Sequence, residues 1–363
     1  HNINEIVYIN FDDERLRQMT ADDLDLILQA YHSLFDLRPL LFFDEIQNIE
    51  GWEHFARRLA NQKYNIYITG SNAKMLSREI ATTLGGRFWN KDVYPYSFAE
   101  YLNARNIILS KNWMYGKQAA EVSKAFNDYF LYGGFPELTD VIAKRVWLND
   151  IYSKIFFSDL IVRNKVRNEE ALGLLVRRLA ENVKQPVSYT RLANLISSIG
   201  IKISKATVIE FIRYLKESCL IFPIENYAAK FAERNSNMKH YFIDNGLLSI
   251  FLLDGNTSLL ENIVAIHLYK RYGAQLYFYN QNIEVDFVIP EAKTAIQVSY
   301  SLMDETTCRR EVEGLIKLNR VFPMDNMCII TRDEERIITH ESGVSIHVIP
   351  VWKWLLEEEP LQT

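Results

Sequence analysis

Residues 40–45 read Leu-Leu-Phe-Phe-Asp-Glu, four consecutive apolar residues ending abruptly in two carboxylates. Such a short apolar run, opened by Pro39, predicts a buried strand, and the two acids mark the point where it leaves the core. The neighbouring segments set the layer it belongs to. Glu5 to Phe11 is another short apolar strand, and Ala21 to Phe35 is an amphipathic helix with Leu24, Leu28, Tyr31, Leu34 and Phe35 on one side. Trp52 to Asn61 is helical, and Tyr64 to Thr69 is a strand that ends at Gly70-Ser71-Asn72. Strands separated by helices predict an α/β fold with a parallel sheet covered by helices. In such sheets ligands bind beyond the carboxyl ends of the strands, where both Asp44-Glu45 and Ser71-Asn72 fall.

Downstream the character changes twice. Residues 97–168 read as largely helical, broken by Gly133-Gly134-Phe135-Pro136. Glu170 to Asn182 is a helix, Ser188 or Thr190 caps a helix over Leu192 to Ser197, and Ser204 caps one over Ala206 to Ser218. A strand at Leu220 to Ile224, a basic loop and a strand at Lys239 to Ile243 follow. Three helices and a two-stranded ribbon form a winged-helix pattern. Residues 260–352 return to α/β: a helix over Leu260 to Tyr272, strands at Leu276 to Tyr279, Ile283 to Ile289 and Ala295 to Tyr300, a helix over Glu311 to Leu318, and strands at Met327 to Thr331 and Ile346 to Pro350.

At 363 residues the chain is long enough for two or three domains of roughly 150 residues each. Its 41 basic and 46 acidic residues leave a net charge of -5, so there is no general attraction to nucleic acid or anionic membrane, only room for a local basic patch. Cys219, Cys308 and Cys328 are scattered and odd in number, which points to a reducing, cytoplasmic compartment without a disulfide framework. No CxxC or Cys/His spacing suggests zinc, and His32, His54, His240, His267, His340 and His347 show no ligand spacing. No apolar run reaches the ~18 residues of a membrane span. The chain opens at His1 in a strand-like stretch without a Met, so a fragment of a longer protein is expected.

The Leu40 to Glu45 run has the Walker B form. At the edge of a sheet Asp44 would orient the water shell of a Mg2+ ion, and Glu45 would polarise an attacking water. The plainer reading is that Asp44 caps the turn after a core strand. At the next strand end, Ser71 and Asn72 offer small polar groups able to sense a γ-phosphate. Gly85-Gly86-Arg87 offers a cation on a flexible turn, suited to an arginine finger, and Arg78 reads better as a solvated charge. Together Leu40 to Glu45, Ile68 to Met75, Leu84 to Arg87, Tyr94-Pro95-Tyr96-Ser97-Phe98 and Tyr132 to Pro136 resemble the AAA-superfamily ATPases that carry a C-terminal domain of unknown function. The resemblance implies ATP and Mg2+ as cofactors, hydrolysis of ATP, and compatibility with a homo-oligomer.

One part of that pattern is missing. The family carries a GxxxxGK[ST] loop ahead of the first strand seen here, and these 363 residues contain none. The pair Gly116-Lys117 is followed by Gln118 and preceded by Lys111 where the first glycine belongs. Without such a loop there are no amides to cradle phosphates and no lysine to neutralise them.

The helix after Ser204 would serve as the recognition helix of the winged-helix segment. Lys202, Lys205, Arg213 and Lys216 lie in or near it, and Lys230, Arg234 and Lys239 in or near the wing. Glu210, Glu217, Glu225 and Glu233 interleave with them, so a packing role between α/β layers stays open beside DNA binding. The C-terminal segment resembles the PD-(D/E)xK nuclease fold through Leu260-Glu261-Asn262, Glu284-Val285-Asp286-Phe287-Val288 and Ile296-Gln297-Val298-Ser299. That resemblance places Glu261 and Asp286 at carboxylate positions, Gln297 where a second strand carboxylate belongs, and Ser299 where a lysine belongs, which implies a retained fold with cleavage lost.

The expected organisation is therefore a partial P-loop-type parallel sheet over 1–100, truncated at its N-terminus, and a helical connector over 101–168. A winged helix over 169–250 and a restriction-endonuclease-like α/β domain over 251–363 complete it. Two functions fit: the Mg-dependent hydrolytic part of an ATPase with modules that engage DNA or another protein, or a binding module with a vestigial ATPase. Isothermal titration of this 363-residue chain is expected to show no micromolar affinity for Mg-ATP; a micromolar isotherm would refute the reading that it lacks a phosphate cradle.

Overall fold

In the computed structural model, which describes residues 2–70, 88–230, 234 and 237–357, the Leu40 run is the middle strand of a three-stranded parallel sheet. β1 (Ile6–Asn10), β2 (Leu40–Asp44) and β3 (Ile66–Ile68) pair in the order β1-β2-β3, with Asn10 opposite Asp44 and Phe43 opposite Ile68. Side chains alternate across a strand. Leu41 and Phe43 therefore point to one face, where they are buried with Trp52, Phe55 and Leu59 of the helix Trp52–Asn61 and with Leu24 and Ile27. Phe42 points to the other face and stacks on Tyr67 at 4.6 Å between ring centroids. This sheet and its helices form one unit, His1–Val93.

The second unit, Tyr94–Thr363, is built on a mixed sheet of nine strands. They are β4 (Val187–Ser188), β5 (Ile221–Asn226), β6 (Asn237–Phe242), β7 (Tyr277–Asn280), β8 (Glu284–Ile289), β9 (Thr294–Val298), β10 (Asn326–Thr331), β11 (Arg336–Thr339) and β12 (Ser345–Pro350). Their order is β11-β12-β10-β9-β8-β7-β5-β6-β4. Ser188 caps the helix Tyr189–Ser197 by accepting the Arg191 N–H, and Ser204 caps Lys205–Glu217 by accepting the Thr207 N–H. The ribbon that follows these helices, β5 and β6, is antiparallel, as a wing requires. It does not stand alone, because β5 also runs parallel to β7 through Glu225–Tyr277 and Asn226–Phe278. The Asn226 side chain lengthens this short junction: its amide donates to the Asn280 carbonyl at 2.6 Å and accepts the Asn280 N–H at 3.0 Å.

Across this sheet lies the helix Asn256–Tyr272, in which every residue from Leu259 to Ile266 is buried. Two of these are polar, and a buried polar group must find partners. Asn262 accepts the Phe242 N–H at 2.8 Å and donates to the Phe242 carbonyl at 3.1 Å and to Asn245 Oδ1 at 2.9 Å. Asn245 in turn donates to the carbonyls of Phe130 and Leu259, each at 3.0 Å. This pair of amides joins the end of β6 to the helices Lys117–Tyr132 and Asn256–Tyr272. Glu261 is taken up below.

Among the described residues no helix is long and apolar enough to cross a membrane. Replacing Asn262 by leucine keeps the volume but strips partners from both backbone groups of Phe242. At about 1–3 kcal/mol per orphaned buried group, the variant is expected to lose about 3 kcal/mol or more in urea denaturation; a loss under about 1 kcal/mol would show that the amide does not carry this junction.

Candidate functional site

Strand β2 delivers Asp44 to the edge of the sheet between two hydroxyls. Tyr8 of β1 donates to Asp44 Oδ2 at 3.0 Å, and the Thr69 hydroxyl, just past β3, donates to Oδ1. The carboxylate beside Tyr8 holds the phenol proton more tightly than usual, chiefly through this hydrogen bond. Each carboxylate oxygen has two lone pairs, so both keep one for a further ligand. A hard cation of the Mg2+ type needs only one or two protein carboxylates when phosphate and water complete its shell, and Asp44 fits that role.

Glu45 follows in the left-handed region, at φ 53°, where a residue with a Cβ is strained. Its N–H donates to the Thr69 carbonyl at 3.1 Å, and its carboxylate accepts the side-chain amide of Gln47. The two carboxylates thus have different side-chain partners, while Thr69 serves both residues through its hydroxyl and its carbonyl. Ser71, Asn72, Arg78 and Arg87 lie outside the described residues. Tyr8 and Thr69 were not singled out by their sequence context. The register that sets Asn10 opposite Asp44 is what brings the tyrosine two residues earlier within reach.

The second set of residues, Glu261, Asp286, Gln297 and Ser299, lines a cavity of about 700 Å³ together with Glu284, Arg310 and Glu311. Behind Glu261, Glu284 and Asp286, and not itself lining the cavity, stands Lys239. Residue 239 was grouped with the wing as a phosphate contact, and the structure corrects this: its side chain is 0% exposed. The ammonium lies 3.2 Å from Glu261 Oε1, 3.1 Å from Asp286 Oδ1 and 3.4 Å from Glu284 Oε1. Tyr241, two residues along β6 and on the same face, donates to the same Glu261 oxygen at 2.7 Å. Burial by itself would strip the proton from Lys239, but the three carboxylates outweigh it and hold the ammonium charged. Burial also pushes the Glu261 carboxyl well up, with Lys239 opposing and Asp286 adding to the rise. The two groups move upward for different reasons, Lys239 because three carboxylates surround it and Glu261 chiefly because it is buried.

Gln297 and Ser299 have other work. Gln297 accepts the Asp286 N–H at 2.9 Å and donates to the Glu284 carbonyl at 3.1 Å, while the Val298 N–H donates to Asp286 Oδ2 at 2.9 Å. Backbone pairing between β8 and β9 runs from Ile289–Thr294 to Phe287–Ile296, and these side chains continue it where the strands part. A carboxylate at 297 could accept but not donate, so the neutral amide suits this clamp. Ser299 donates to the Ser301 carbonyl at 3.0 Å. The sequence signal that could have found Lys239 is its place in Met238-Lys239-His240-Tyr241-Phe242: a lysine among apolar residues of a strand needs buried anions.

Two of the stretches that carry the family resemblance, residues 94–98 and 132–136, meet inside the second unit. Tyr96 N–H donates to the Gly134 carbonyl at 2.7 Å, Tyr129 donates to the Tyr96 carbonyl at 2.8 Å, and Lys270 donates to the Pro95 carbonyl at 2.6 Å. Buried Asp244 accepts the N–H groups of Gly134 at 2.7 Å and Gly246 at 2.8 Å. Gly133 sits at φ 78°, and a Cβ there would run into the Asp244 carboxylate. Burial pushes Asp244 up to about 6 against the pull of its backbone donors.

On the helix Lys205–Glu217, Lys205, Ile209 and Arg213 are exposed at four-residue spacing, with exposed Lys202 just before it. Arg213 lies over the Tyr214 ring at 5.2 Å, within 3.9 Å of Glu210, and Lys216 is half-buried. The Arg234 guanidinium is turned inward and donates to the Ala229 carbonyl at 3.0 Å.

Residues 1–102 match the family model of an AAA domain, and residues 123–258 match a domain of unknown function, DUF8612. The uncharacterized protein MJ1544 of Methanocaldococcus jannaschii is 34% identical over 98% of this chain and 83% of its own length. An uncharacterized protein of Haemophilus influenzae is 30% identical over 97% of this chain and 86% of its own length. Of solved structures, the Walker-type ATPase PABY2304 of Pyrococcus abyssi covers 68% of this chain and 83% of its own at 12% identity and a TM-score of 0.40. Orc1 of Aeropyrum pernix in complex with DNA covers 72% and 78% at 14% identity and a TM-score of 0.27. Both scores are too low to establish a common arrangement. The identity with MJ1544 along nearly the whole chain, and the AAA-domain match over its first 102 residues, place this chain in the MJ1544 family of AAA-domain proteins.

Proposed function

We propose that the first unit supplies the metal-orienting and water-activating half of a Mg-dependent ATPase site. One observation carries the reading: Asp44 leaves the central strand of a parallel sheet held between the Tyr8 and Thr69 hydroxyls, with Glu45 beside it on a separate support. The AAA-domain match over residues 1–102 supports it. Mg-ATP, when bound, brings the transferable phosphoryl group. Asp44 orients the metal's water shell, Tyr8 and Thr69 keep its carboxylate from rotating, and Glu45 draws a proton from the attacking water. Ser71, Asn72 and Arg87 serve as phosphate-sensing and charge-stabilising groups. Hydrolysis requires a phosphate-cradling loop in addition to these residues, and a degraded loop would instead make the chain a binding module with a vestigial ATPase.

In the second unit, which includes the helical segment 101–168, we read the winged-helix segment, 169–250, and the nuclease-like segment, 251–363, as working through one shared sheet. They engage DNA or a protein without cutting. The exposed Lys202, Lys205 and Arg213 favour DNA, with Lys216 at the margin.

In a form of the chain that carries a phosphate-cradling loop, Glu45→Gln is expected to lower Mg-ATP turnover roughly 10²- to 10⁴-fold, the usual worth of a general base, and Asp44→Asn to abolish it; full turnover in either would remove the assignment. Glu45→Gly is expected to abolish turnover while denaturation stability stays within about 1 kcal/mol of the parent or above it, because glycine is unstrained at this φ. A clear loss of stability would place Glu45 in the scaffold instead. Binding to a random DNA duplex at low salt, weakening as salt rises and lost on charge reversal of Lys205 and Arg213, is the expected outcome for the second unit. Failure to bind at low salt would leave the protein-engaging alternative.

A further inference from the structure

Three carboxylates from two separate elements line the 700 Å³ cavity and converge on one point behind it: Glu261 from the helix Asn256–Tyr272, and Glu284 and Asp286 from β8. Side chains gathered in this way around a common centre are what a hard divalent cation selects. A nuclease-like fold also implies a metal here, so the fit of the residues to that ion can be tested. They do not fit it. The common centre is the Lys239 ammonium, and the oxygens stand 3.1 to 3.4 Å from it, about 1 Å outside the shell of a Mg2+ or Ca2+ ion. Among the described residues no group of three or more His, Cys, Asp or Glu side chains is placed to hold a metal ion. Gln297, at the position of a further ligand, has its carbonyl oxygen committed to the Asp286 N–H. The ammonium also lies over the Phe278 ring, 5.6 Å from its centroid.

We propose that Lys239 is the resident cation of this cavity, a side-chain ammonium standing where the carboxylates would otherwise gather a hard divalent ion. The site then masks a latent metal centre. Its charge is answered by one covalently tethered cation that cannot dissociate, be chelated or be exchanged, and β6 supplies it from outside the elements that bear the acids. Three carboxylates against one ammonium leave an acidic excess, and Arg310 at the rim, paired with Glu311 at 2.6 Å, leaves that excess unchanged. The inference rests on the geometry of the cluster and is independent of whether the first unit hydrolyses ATP.

The test uses the 363-residue chain without nucleotide, with Mn2+ as a paramagnetic probe and with Mg2+ in thermal denaturation. The parent protein is expected to bind no Mn2+ that Asp286→Asn removes, and to melt at the same temperature in EDTA and in Mg2+. Lys239→Ala is expected to melt lower in EDTA, to recover in Mn2+, and to gain one bound Mn2+ per chain that is lost again in the double variant with Asp286→Asn. Lys239→Gln, which fills the same space with a neutral amide, gives the same readout if the alanine variant fails to fold. An Asp286-dependent Mn2+ site in the parent protein would overturn the proposal, and so would a folded Lys239 variant that gains no Mn2+. Failure of both variants to fold leaves the decision to the parent protein, whose titration gives one of these two answers unaided. The ATPase reading is untouched by any of these outcomes, because its readout is turnover dependent on Asp44.

Discussion

One buried charge organises the larger unit. Withdrawing an ammonium from water costs several kcal/mol even after relaxation, and the cost is met only if anions and hydrogen bonds surround it closely. Lys239 therefore requires β6, β8 and the helix Asn256–Tyr272 to arrive together and in one register. A one-residue slip of β6 would turn Lys239 to the opposite face and present His240 to Glu261 instead. Tyr241 reinforces the same choice, since it follows by two residues and bonds the same oxygen. A buried ion pair is poor evidence for stability in itself, but it discriminates sharply between one packing of these elements and its neighbours.

Side-chain amides extend that precision where backbone pairing runs out. Asn226 prolongs the two-residue junction of β5 with β7, Asn262 satisfies both backbone groups of Phe242, and Gln297 bridges β8 and β9 beyond their last paired residues. Each amide accepts and donates at once, which no carboxylate or hydroxyl of similar reach does in the same geometry. Gly314 leaves room for the last of these, since a Cβ there would press on Gln297 Nε2 at 3.1 Å. The segment expected as a separate wing is drawn into the nine-stranded sheet by the same device.

The parts written in local pattern were legible. Four apolar residues and two acids located β2 and its edge, and Ser188 and Ser204 announced their helices through the preference of hydroxyls for unpaired N–H groups. Strands β8, β9, β10 and β12 followed from short apolar runs between turn residues. Very short elements were not visible: β11 has four residues and is exposed along most of its length, and β4 has two. The partners of the site residues were hidden for a different reason. Lys239 and Glu261 are 22 positions apart, and Tyr8 and Asp44 are 36 apart. Their meeting depends on strand order, which no periodicity encodes. Lys239 in particular carried the same letter as a surface cation, and only its apolar neighbours in β6 marked it as buried.

The buried ionisable groups of the second unit also set how the fold exchanges protons with solvent. Asp244, at about 6, and Glu261, raised by burial, hold their protons to higher pH in the fold than in the open chain, so by themselves they withdraw stability as pH climbs through that range. His240, at about 4, and His267, at about 3, do the reverse: buried and neutral, they withdraw stability as pH falls below the ordinary imidazole value. Near pH 5 the unfolded chain carries protons on both imidazoles and neither acid, and the fold carries them on both acids and neither imidazole. The two inventories match, so these four groups give unfolding almost no net proton uptake there. Below about pH 4 His240 takes up its proton in the fold as well, and of the two imidazoles only His267, at about 3, goes on withdrawing stability as pH falls further.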